Sequence, residues 1–183
     1  SYIRKNIKIM TKKNGKYNCL LTSYVNMDMV YEEYKKIGEK VIIQSRQMTE
    51  KDRSESLLKF KFQEDLRAFA VMGGVFSEGI DLLGKRLIGV AIISVGIPQI
   101  SFERNILKNH FQKKLKKGYD YAYIYPGMVK VNQSGGRVIR SEDDKGVVLL
   151  IDKRFSIEPY SKLLPSHWIV EDFYSDKDIK KRL

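Results

Sequence analysis

Residues Leu87–Val95 have the sequence LIGVAIISV, in which Ser94 is the only polar side chain. An uninterrupted apolar run of this length is typical of a strand buried on both faces, as in the parallel sheet of an α/β protein. The run continues only to Ile97 and is too short to span a bilayer. The stretch therefore predicts a central strand of a parallel sheet.

Around this strand, short apolar segments alternate with helical ones along the chain. This alternation predicts an α/β domain with a largely parallel sheet. Ligands bind such sheets at the carboxyl ends of the strands, so polar residues that follow strands are the first site candidates. The other predicted strands are Tyr17–Thr22, Val41–Gln44, Arg67–Met72 and Gly146–Ile151. Helices are predicted over residues 2–13, 27–37, 49–65 and 105–117, and a further helix is predicted to follow Pro126-Gly127 and to end at about Ile139.

The charge of the chain is concentrated in two segments. Its 183 residues are 43% hydrophobic, enough for one domain with a core, and carry a formal net charge of +12. Residues 1–27 hold six basic side chains and no acid, residues 104–119 hold another six and no acid, and the remainder is balanced. This pattern favours a polyanionic partner, although basic surfaces also serve solubility alone.

Cysteine and histidine usage argues against several classes of site. Cys19 is the only cysteine, so the chain forms no internal disulfide or cysteine-rich metal cluster, and its apolar surroundings predict a buried thiol. His110 and His167 lack the spacing of zinc ligands. No apolar signal region opens the sequence, so we expect a cytoplasmic protein. Because the first residue is Ser1 and not Met, we expect an excerpt of a longer protein.

One pattern resembles a phosphate-binding P-loop but does not meet its requirements. Residues Gly79–Lys85 match most of the P-loop spacing, but Arg86 stands where a Ser or Thr hydroxyl would bind Mg²⁺. A P-loop also opens a helix, whereas here the chain enters the predicted strand at Leu87. The sequence therefore predicts that this chain alone cannot build a complete P-loop ATPase site.

A second pattern is a stronger phosphate signal: residues 133–146 read QSGGRVIRSEDDKG. Arg137 and Arg140 are three residues apart and would share one helix face, with planar charged groups that suit phosphoryl oxygens. Gly135 and Gly136 permit close backbone approach and would be poor choices for a helix that only packs. The alternative is a surface helix whose arginines pair with the acids at 142–144.

Three segments, in family order, resemble conserved motifs of superfamily 2 helicases of the DinG/XPD type. The string from Gln133 to Gly146, followed by Asp152–Phe155, resembles motif VI. Residues Gly73–Asp81 resemble motif V, and Leu20–Tyr24 more weakly resemble motif IV. Together these matches cover nearly the whole chain.

The resemblance implies a RecA-like three-layer αβα domain with a mainly parallel sheet and a helical insertion before motif VI. It further implies that residues 1–183 form a single domain, the second (C-terminal) motor domain of an ATP-dependent DNA helicase. The first motor domain, with its Walker motifs, would be absent from this chain and would hold the ATP phosphates and Mg²⁺. The chain alone is then expected to be inactive as an ATPase.

The resemblance also assigns roles to individual residues. Arg137 and Arg140 would act as arginine fingers toward ATP, with Gln133 coupling the nucleotide to the motif. The remaining nucleotide-site candidates are Asp81, Glu78, Gly79, Gly136 and Asp144, and the candidates for contact with single-stranded DNA are Ser23, Tyr24 and Ser77. The expected partners are single-stranded DNA and the first motor domain of the same protein, with no membrane.

Simpler interpretations remain for several of these residues. Asp81 and Glu78 could cap loops, Tyr24 could be partly buried without a ligand, and Trp168 is expected to anchor the C-terminal segment. The basic residues 104–119 have no assigned role beyond a possible place along the DNA path. At the level of function, the alternative is a stand-alone nucleic-acid-binding module. A membrane-surface role for helix 2–13 is disfavoured because its apolar face has only Ile3, Ile7 and Met10.

Overall fold

A single parallel sheet organises the domain. The computed structural model describes residues 2–35, 40–74, 87–138, 145–175 and 177–179. Within these residues five strands pair in the order β2-β3-β1-β4-β5, and every pairing is parallel. The strands are β1 (Lys16–Leu21), β2 (Val41–Ile43), β3 (Leu66–Val71), β4 (Leu87–Ile93) and β5 (Val147–Ile151).

The centre of the sheet is buried on both faces, as the apolar run at Leu87–Val95 predicts. In β4 only Ile88 is more than marginally exposed, and β1 is buried along its whole length. Cys19, at 0% exposure, lies between Phe69 of β3 and Ala91 of β4. The expected burial of the thiol is confirmed.

Helices cover both faces and form three layers. The helices are α1 (Tyr2–Met10), α2 (Tyr24–Lys35), α3 (Glu50–Phe62), α4 (Phe102–Leu115) and α5 (Tyr125–Gly136). On one face, Ile7 of α1 and Tyr34 of α2 pack with Leu21 and Phe69. On the other, Phe60 of α3 and Val131 of α5 pack with Ile92 and its neighbours. The αβα architecture is confirmed.

The connection from β4 to β5 carries the expected helical insertion. None of the residues of α4 is buried, and its N-terminus is capped by Ser101, whose hydroxyl accepts from the Arg104 amide at 3.2 Å. A π-helical turn, Asp120–Ile124, leads directly into α5. Stacking of Phe111 on Tyr121, with 4.3 Å between ring centroids, joins α4 to this turn.

Several predicted boundaries shift for identifiable reasons. The second helix begins at Tyr24, three residues earlier than predicted, because Ser23 caps it. The last long helix does not begin after Gly127: Pro126 lies in the first turn of α5, where its missing N–H costs no helical hydrogen bond. The same helix ends at Gly136, so Arg137 is its C-terminal cap instead of an interior residue.

One lysine of the N-terminal basic segment is not available to a partner. Lys16 is 3% exposed, and its ammonium donates to the carbonyl oxygens of Phe60 and Lys61 at the end of α3. Arg67 nearby is also buried and pairs with Asp65 at 2.7 Å. Of the six basic residues in 1–27, Lys16 therefore cannot contribute to the polyanion contact that this segment favours.

None of the helices in the described parts of the chain is both long and apolar enough to cross a membrane.

Candidate functional site

The site residues predicted from sequence fall into two groups. Ser23, Tyr24, Gln133, Gly136 and Arg137 lie within the described structure. The remaining predictions, namely Ser77, Glu78, Gly79, Asp81, Arg140 and Asp144, lie outside the described residues.

Ser23 and Tyr24 lie at the carboxyl edge of the sheet, directly after β1. The Ser23 hydroxyl accepts a hydrogen bond from the Asn26 amide at 3.3 Å, and its carbonyl accepts from Met27 at 3.0 Å. Ser23 therefore has a structural role as the cap of α2. Tyr24, half-buried at the start of the helix, points its hydroxyl toward the neighbouring strand ends.

Gln44, which follows β2, links three of these strand ends. Its side-chain nitrogen donates to the Tyr24 hydroxyl at 2.8 Å, while its side-chain oxygen accepts from the Val71 amide at 2.9 Å. Its own backbone amide donates to the Phe69 carbonyl at 2.8 Å. The sequence motifs missed Gln44, because the predicted strand Val41–Gln44 includes it, whereas β2 ends at Ile43 and leaves Gln44 as the first polar residue after the strand.

The first residues of the motif V segment lie beside this amide. Gly73 adopts φ +71°, a conformation that favours glycine. A Cβ atom on Gly74 would lie 3.2 Å from the Val71 carbonyl oxygen and 3.5 Å from the Gln44 side-chain nitrogen. Both glycines therefore fit the tight turn that brings the chain over the end of β3.

A cleft of about 230 Å³ opens at the same edge. Its lining includes Tyr24, Gln44, Arg46, Arg53 and Gly74. The Arg46 guanidinium lies over the Tyr24 ring, 5.0 Å from the centroid. None of the sequence motifs pointed to Arg46 or Arg53.

The motif VI residues of α5 that the structure describes lie toward the opposite edge of the sheet. Helix α5 begins against the segment that follows β4, since a Cβ on Gly127 would lie 2.7 Å from the Val95 carbonyl oxygen. It ends near the start of β5, where Val148 lies 3.3 Å from a Cβ built on Gly135. Gln133 and Arg137 are thus not gathered with Ser23 and Tyr24 at the carboxyl edge.

The two motif VI glycines have different surroundings. A Cβ on Gly135 would overlap the ring of Trp168, so this glycine admits the side chain that anchors the C-terminal segment. A Cβ on Gly136 meets nothing within 4 Å. Gln133 and Gly136 are exposed and Arg137 is half-buried, so the C-terminal end of α5 is accessible from outside the domain.

A separate ionic cluster lies where β4 and β5 end. Arg154 binds the Asp152 carboxylate, with 2.6 Å between Nη2 and Oδ2, and donates to the Ser94 hydroxyl at 3.0 Å. Burial opposes ionisation of Asp152, but the hydrogen bonds from Arg154 outweigh it and hold the pKa of the carboxyl below its usual range. The sequence string included Asp152 and Arg154 without giving them a role.

Known proteins match most of the chain. Residues 6–171 match the family model described as helicase C-terminal domain. A probable ATP-dependent helicase of Methanocaldococcus jannaschii is 31% identical over 166 residues, covering 82% of this chain and 25% of the relative. The Caenorhabditis elegans ATP-dependent DNA helicase chl-1 is 33% identical over 140 residues, covering 74% of this chain and 16% of the relative.

Solved structures show the same fold. An apo structure of XPD superposes with a TM-score of 0.68 at 24% identity, covering 88% of this chain and 33% of that one. The chain thus spans about a quarter of the length of the archaeal relative and a third of this solved structure.

Proposed function

This chain belongs to the helicase C-terminal domain family, of the DinG/XPD type, and we propose that it acts as the second RecA-like motor domain of an ATP-dependent DNA helicase. The observation that carries the proposal is the open end of α5, where exposed Gln133 and Gly136 adjoin Arg137. A surface of this kind can close on a nucleotide held by another domain. The first motor domain would hold the ATP phosphates and Mg²⁺.

In this proposal Arg137 and Arg140 stabilise the charge that develops on the γ-phosphate. A guanidinium donates in a planar fork that matches phosphoryl oxygens and keeps its charge at all physiological pH values. An arginine supplied in this way accelerates phosphoryl transfer by about 10³–10⁵-fold, or roughly 4–7 kcal/mol of barrier. Gln133, one turn earlier on α5, would connect the nucleotide to the motif.

The other nucleotide-site assignments extend the same proposal. Asp81 would contact the ribose or the motif VI network, and Glu78 would link the state of the nucleotide to DNA. Gly79, Gly136 and Asp144 would complete the nucleotide-facing surface. Of these residues only Gly136 lies within the described structure, and the open space around it supports its place there.

Ser23 and Tyr24 at the carboxyl edge of the sheet would hold single-stranded DNA, together with Ser77, which lies outside the described residues. Contacts to phosphates are independent of base sequence, as a translocating motor requires. The described nucleotide and DNA candidates lie at opposite edges, so one domain can touch both ligands without competition between them. Closure of the two motor domains on ATP, and reopening after hydrolysis, would then move the protein along the strand.

The test is Arg137→Ala in a protein that joins this chain to a first motor domain. We expect DNA-stimulated ATP turnover to fall by about 10³-fold or more while the affinity for single-stranded DNA stays within about twofold. Lys162→Ala, which removes an exposed positive charge outside all three motifs, is the control and should change neither quantity. Weakened DNA binding with intact turnover would refute the finger assignment.

The alternative function is a stand-alone nucleic-acid-binding module, which is favoured by the exposed, lysine-rich helix α4. The two functions differ in what a first motor domain adds. On the helicase proposal the chain alone has no ATPase activity, and joining it to that domain restores turnover stimulated by DNA. On the alternative, DNA binding is complete in the chain alone and turnover never appears.

A further inference from the structure

We propose that the C-terminal segment Leu163–Trp168 holds Arg137 in position for ATP hydrolysis, with Trp168 and Asn132 as positioning residues. This inference rests on the proposed helicase function, in which Arg137 acts as an arginine finger. Asn132 and the segment Leu163–Trp168 lie outside all three sequence motifs. The inference therefore extends the nucleotide site to a part of the chain that the motifs leave without a role in turnover.

The first support is the contact between Trp168 and Gly135, in the last turn of α5. Two atoms at the outer edge of the indole ring, Cη2 and Cζ2, take the space that a Cβ on Gly135 would occupy. The ring thus reaches the backbone of the helix itself, and Gly135 is buried there. Because protein interiors are close-packed, the ring sets the distance between the C-terminal segment and this turn.

The second support is that Gly135 is bonded directly to the backbone of the proposed finger. Its carbonyl oxygen accepts a hydrogen bond from the Arg137 amide, and it accepts another from the Val138 amide at 3.2 Å. Val138 is 1% exposed and belongs to the core. The backbone of Arg137 therefore lies between a peptide group packed against Trp168 and a buried side chain, so a shift of Gly135 would move Arg137.

A second link joins the same segment to α5 one turn earlier. The side-chain nitrogen of Asn132 donates to the Leu163 carbonyl oxygen at 2.8 Å. Asn132 and Gly135 are three residues apart and share one face of the helix, whereas Gln133 and Arg137 are four apart and share another. The C-terminal segment thus contacts one face of α5 and leaves the face with Gln133 accessible to a second domain.

The two links belong to one short stretch of chain with its own local structure. The Trp168 amide donates to the Pro165 carbonyl oxygen at 3.0 Å, which closes a turn just before the ring. Leu163 and Leu164 pack against the core. The two contacts with α5 therefore start from a segment that is itself fixed to the domain.

The chemistry of the finger makes such support matter. A guanidinium stabilises the charge on a transferring phosphoryl group only where its N–H groups meet the phosphoryl oxygens. A misplacement of about 1 Å can cost about 10²-fold in rate. Because the contact is made in the transition state, its loss lowers kcat and leaves the KM for ATP nearly unchanged.

The experiment measures DNA-stimulated ATP turnover of a protein that joins this chain to a first motor domain. We expect Trp168→Leu to lower kcat by about 10- to 100-fold, with the KM for ATP and the affinity for single-stranded DNA within about twofold. Trp168→Phe keeps an aromatic ring beside Gly135 and should restore most of the turnover. Asn132→Leu removes only the second link and should lower kcat by a smaller factor.

The deciding measurement is a double-mutant cycle with Arg137→Ala. Once the guanidinium is gone there is nothing left to position, so Trp168→Leu should change the remaining kcat by less than about twofold. Phe60→Leu is the control for stability, because it reduces a buried side chain of α3 outside the motifs, and it should leave kcat within about twofold. Circular dichroism identifies a temperature at which every variant is folded, and all rates are measured there.

Three results would overturn the inference. An equal loss of kcat in Phe60→Leu, or a full loss from Trp168→Leu in the Arg137→Ala background, would show a general effect of lower stability. Unchanged turnover in both Trp168→Leu and Asn132→Leu would overturn this inference alone and leave the helicase proposal standing. Unchanged turnover in Arg137→Ala would instead overturn the finger assignment, and the positioning role would fall with it.

Discussion

The side-chain nitrogen of Gln44 donates a 2.8 Å hydrogen bond to the hydroxyl of Tyr24, and this bond ties the beginning of α2 to the end of β2. The same amide group receives the Val71 N–H at 2.9 Å, so both of its polar atoms are engaged. The geometry of the carboxyl edge therefore depends on one uncharged side chain.

The first prediction concerns this link. Gln44→Met keeps the size of the side chain but leaves the Val71 amide and the Tyr24 hydroxyl without their partner, so we expect the free energy of unfolding to fall by about 1–3 kcal/mol. Tyr24→Phe should cost about 0.5–1.5 kcal/mol, and the double variant should cost less than the sum because the two share a bond. Urea denaturation measures the free energy of unfolding of the two single variants and the double variant. Gln47→Met, at an exposed position in the same loop, is the control. Strict additivity would contradict the link.

The second prediction is a pH dependence at Asp152. Arg154 holds the pKa of this carboxyl below its usual range, so the stabilisation is complete above the unfolded value near pH 4 and is lost as the pH falls through the folded value. Asp152→Asn should lower the free energy of unfolding by about 1–3 kcal/mol at pH 7, and the difference from the unaltered chain should shrink below about pH 4. Denaturation curves at several pH values measure the effect, with Asp28→Asn on the surface of α2 as the control. If the difference in the free energy of unfolding between Asp152→Asn and the unaltered chain grew as the pH fell, the prediction would be wrong.

The third prediction uses the two adjacent glycines of motif VI. Gly135→Ala places a methyl group against the Trp168 ring and should destabilise the domain by about 1–3 kcal/mol. Gly136→Ala adds a methyl group in open space at the end of a helix and should be neutral or stabilise by up to about 1 kcal/mol. Trp168 is the only tryptophan of the chain, so its fluorescence emission reports the displacement directly. A spectral change in Gly136→Ala but not in Gly135→Ala would contradict the assigned contact.

The fourth prediction concerns the buried ammonium group of Lys16. Lys16→Met preserves the apolar stem but removes the donor to the Phe60 and Lys61 carbonyls, so we expect a loss of about 1–3 kcal/mol. Lys12→Met removes an exposed charge from the adjacent turn and should change stability by less than about 0.5 kcal/mol. Thermal unfolding of the two variants side by side is the measurement. Equal effects would mean that Lys16 stabilises only through net charge.

The elements of this fold could be predicted where the signal is local. The apolar run at Leu87–Val95 predicts a strand buried on both faces, and β4 is such a strand. The order of the strands could not be obtained in this way, because it depends on pairings between residues far apart in sequence. The start of α5 before Pro126 could not be predicted for a different reason. The π-helical turn that precedes this helix has no simple sequence pattern.

The sequence predicts only some of the residues at the candidate site. The motif resemblance names Ser23, Tyr24, Gln133, Gly136 and Arg137 as candidates, which remain predictions, and their division between two edges follows from the path of α5 across the sheet. Gln44, Arg46 and Arg53 belong to no motif and come together only through the pairing of β2 with β3. The burial of Lys16 likewise depends on the end of α3, which lies far along the chain. Charge alone could not distinguish it from its exposed neighbours.

The central position of β1 has a consequence for how the chain folds. β1 is the first strand in the sequence, yet Lys16 at its start lies beside Leu66 on one side and Leu87 on the other. Every pairing is parallel, so none of these neighbours can be joined by a hairpin, and the whole of α2, β2 and α3 must be made before the first pairing of β1 can form. Folding therefore depends on closing long loops, which slows it relative to helical bundles of the same size. When a ribosome has synthesised this chain as far as residue 40, β1 at the middle of the sheet still lacks both partner strands, and its apolar surface stays unpaired until β3 emerges.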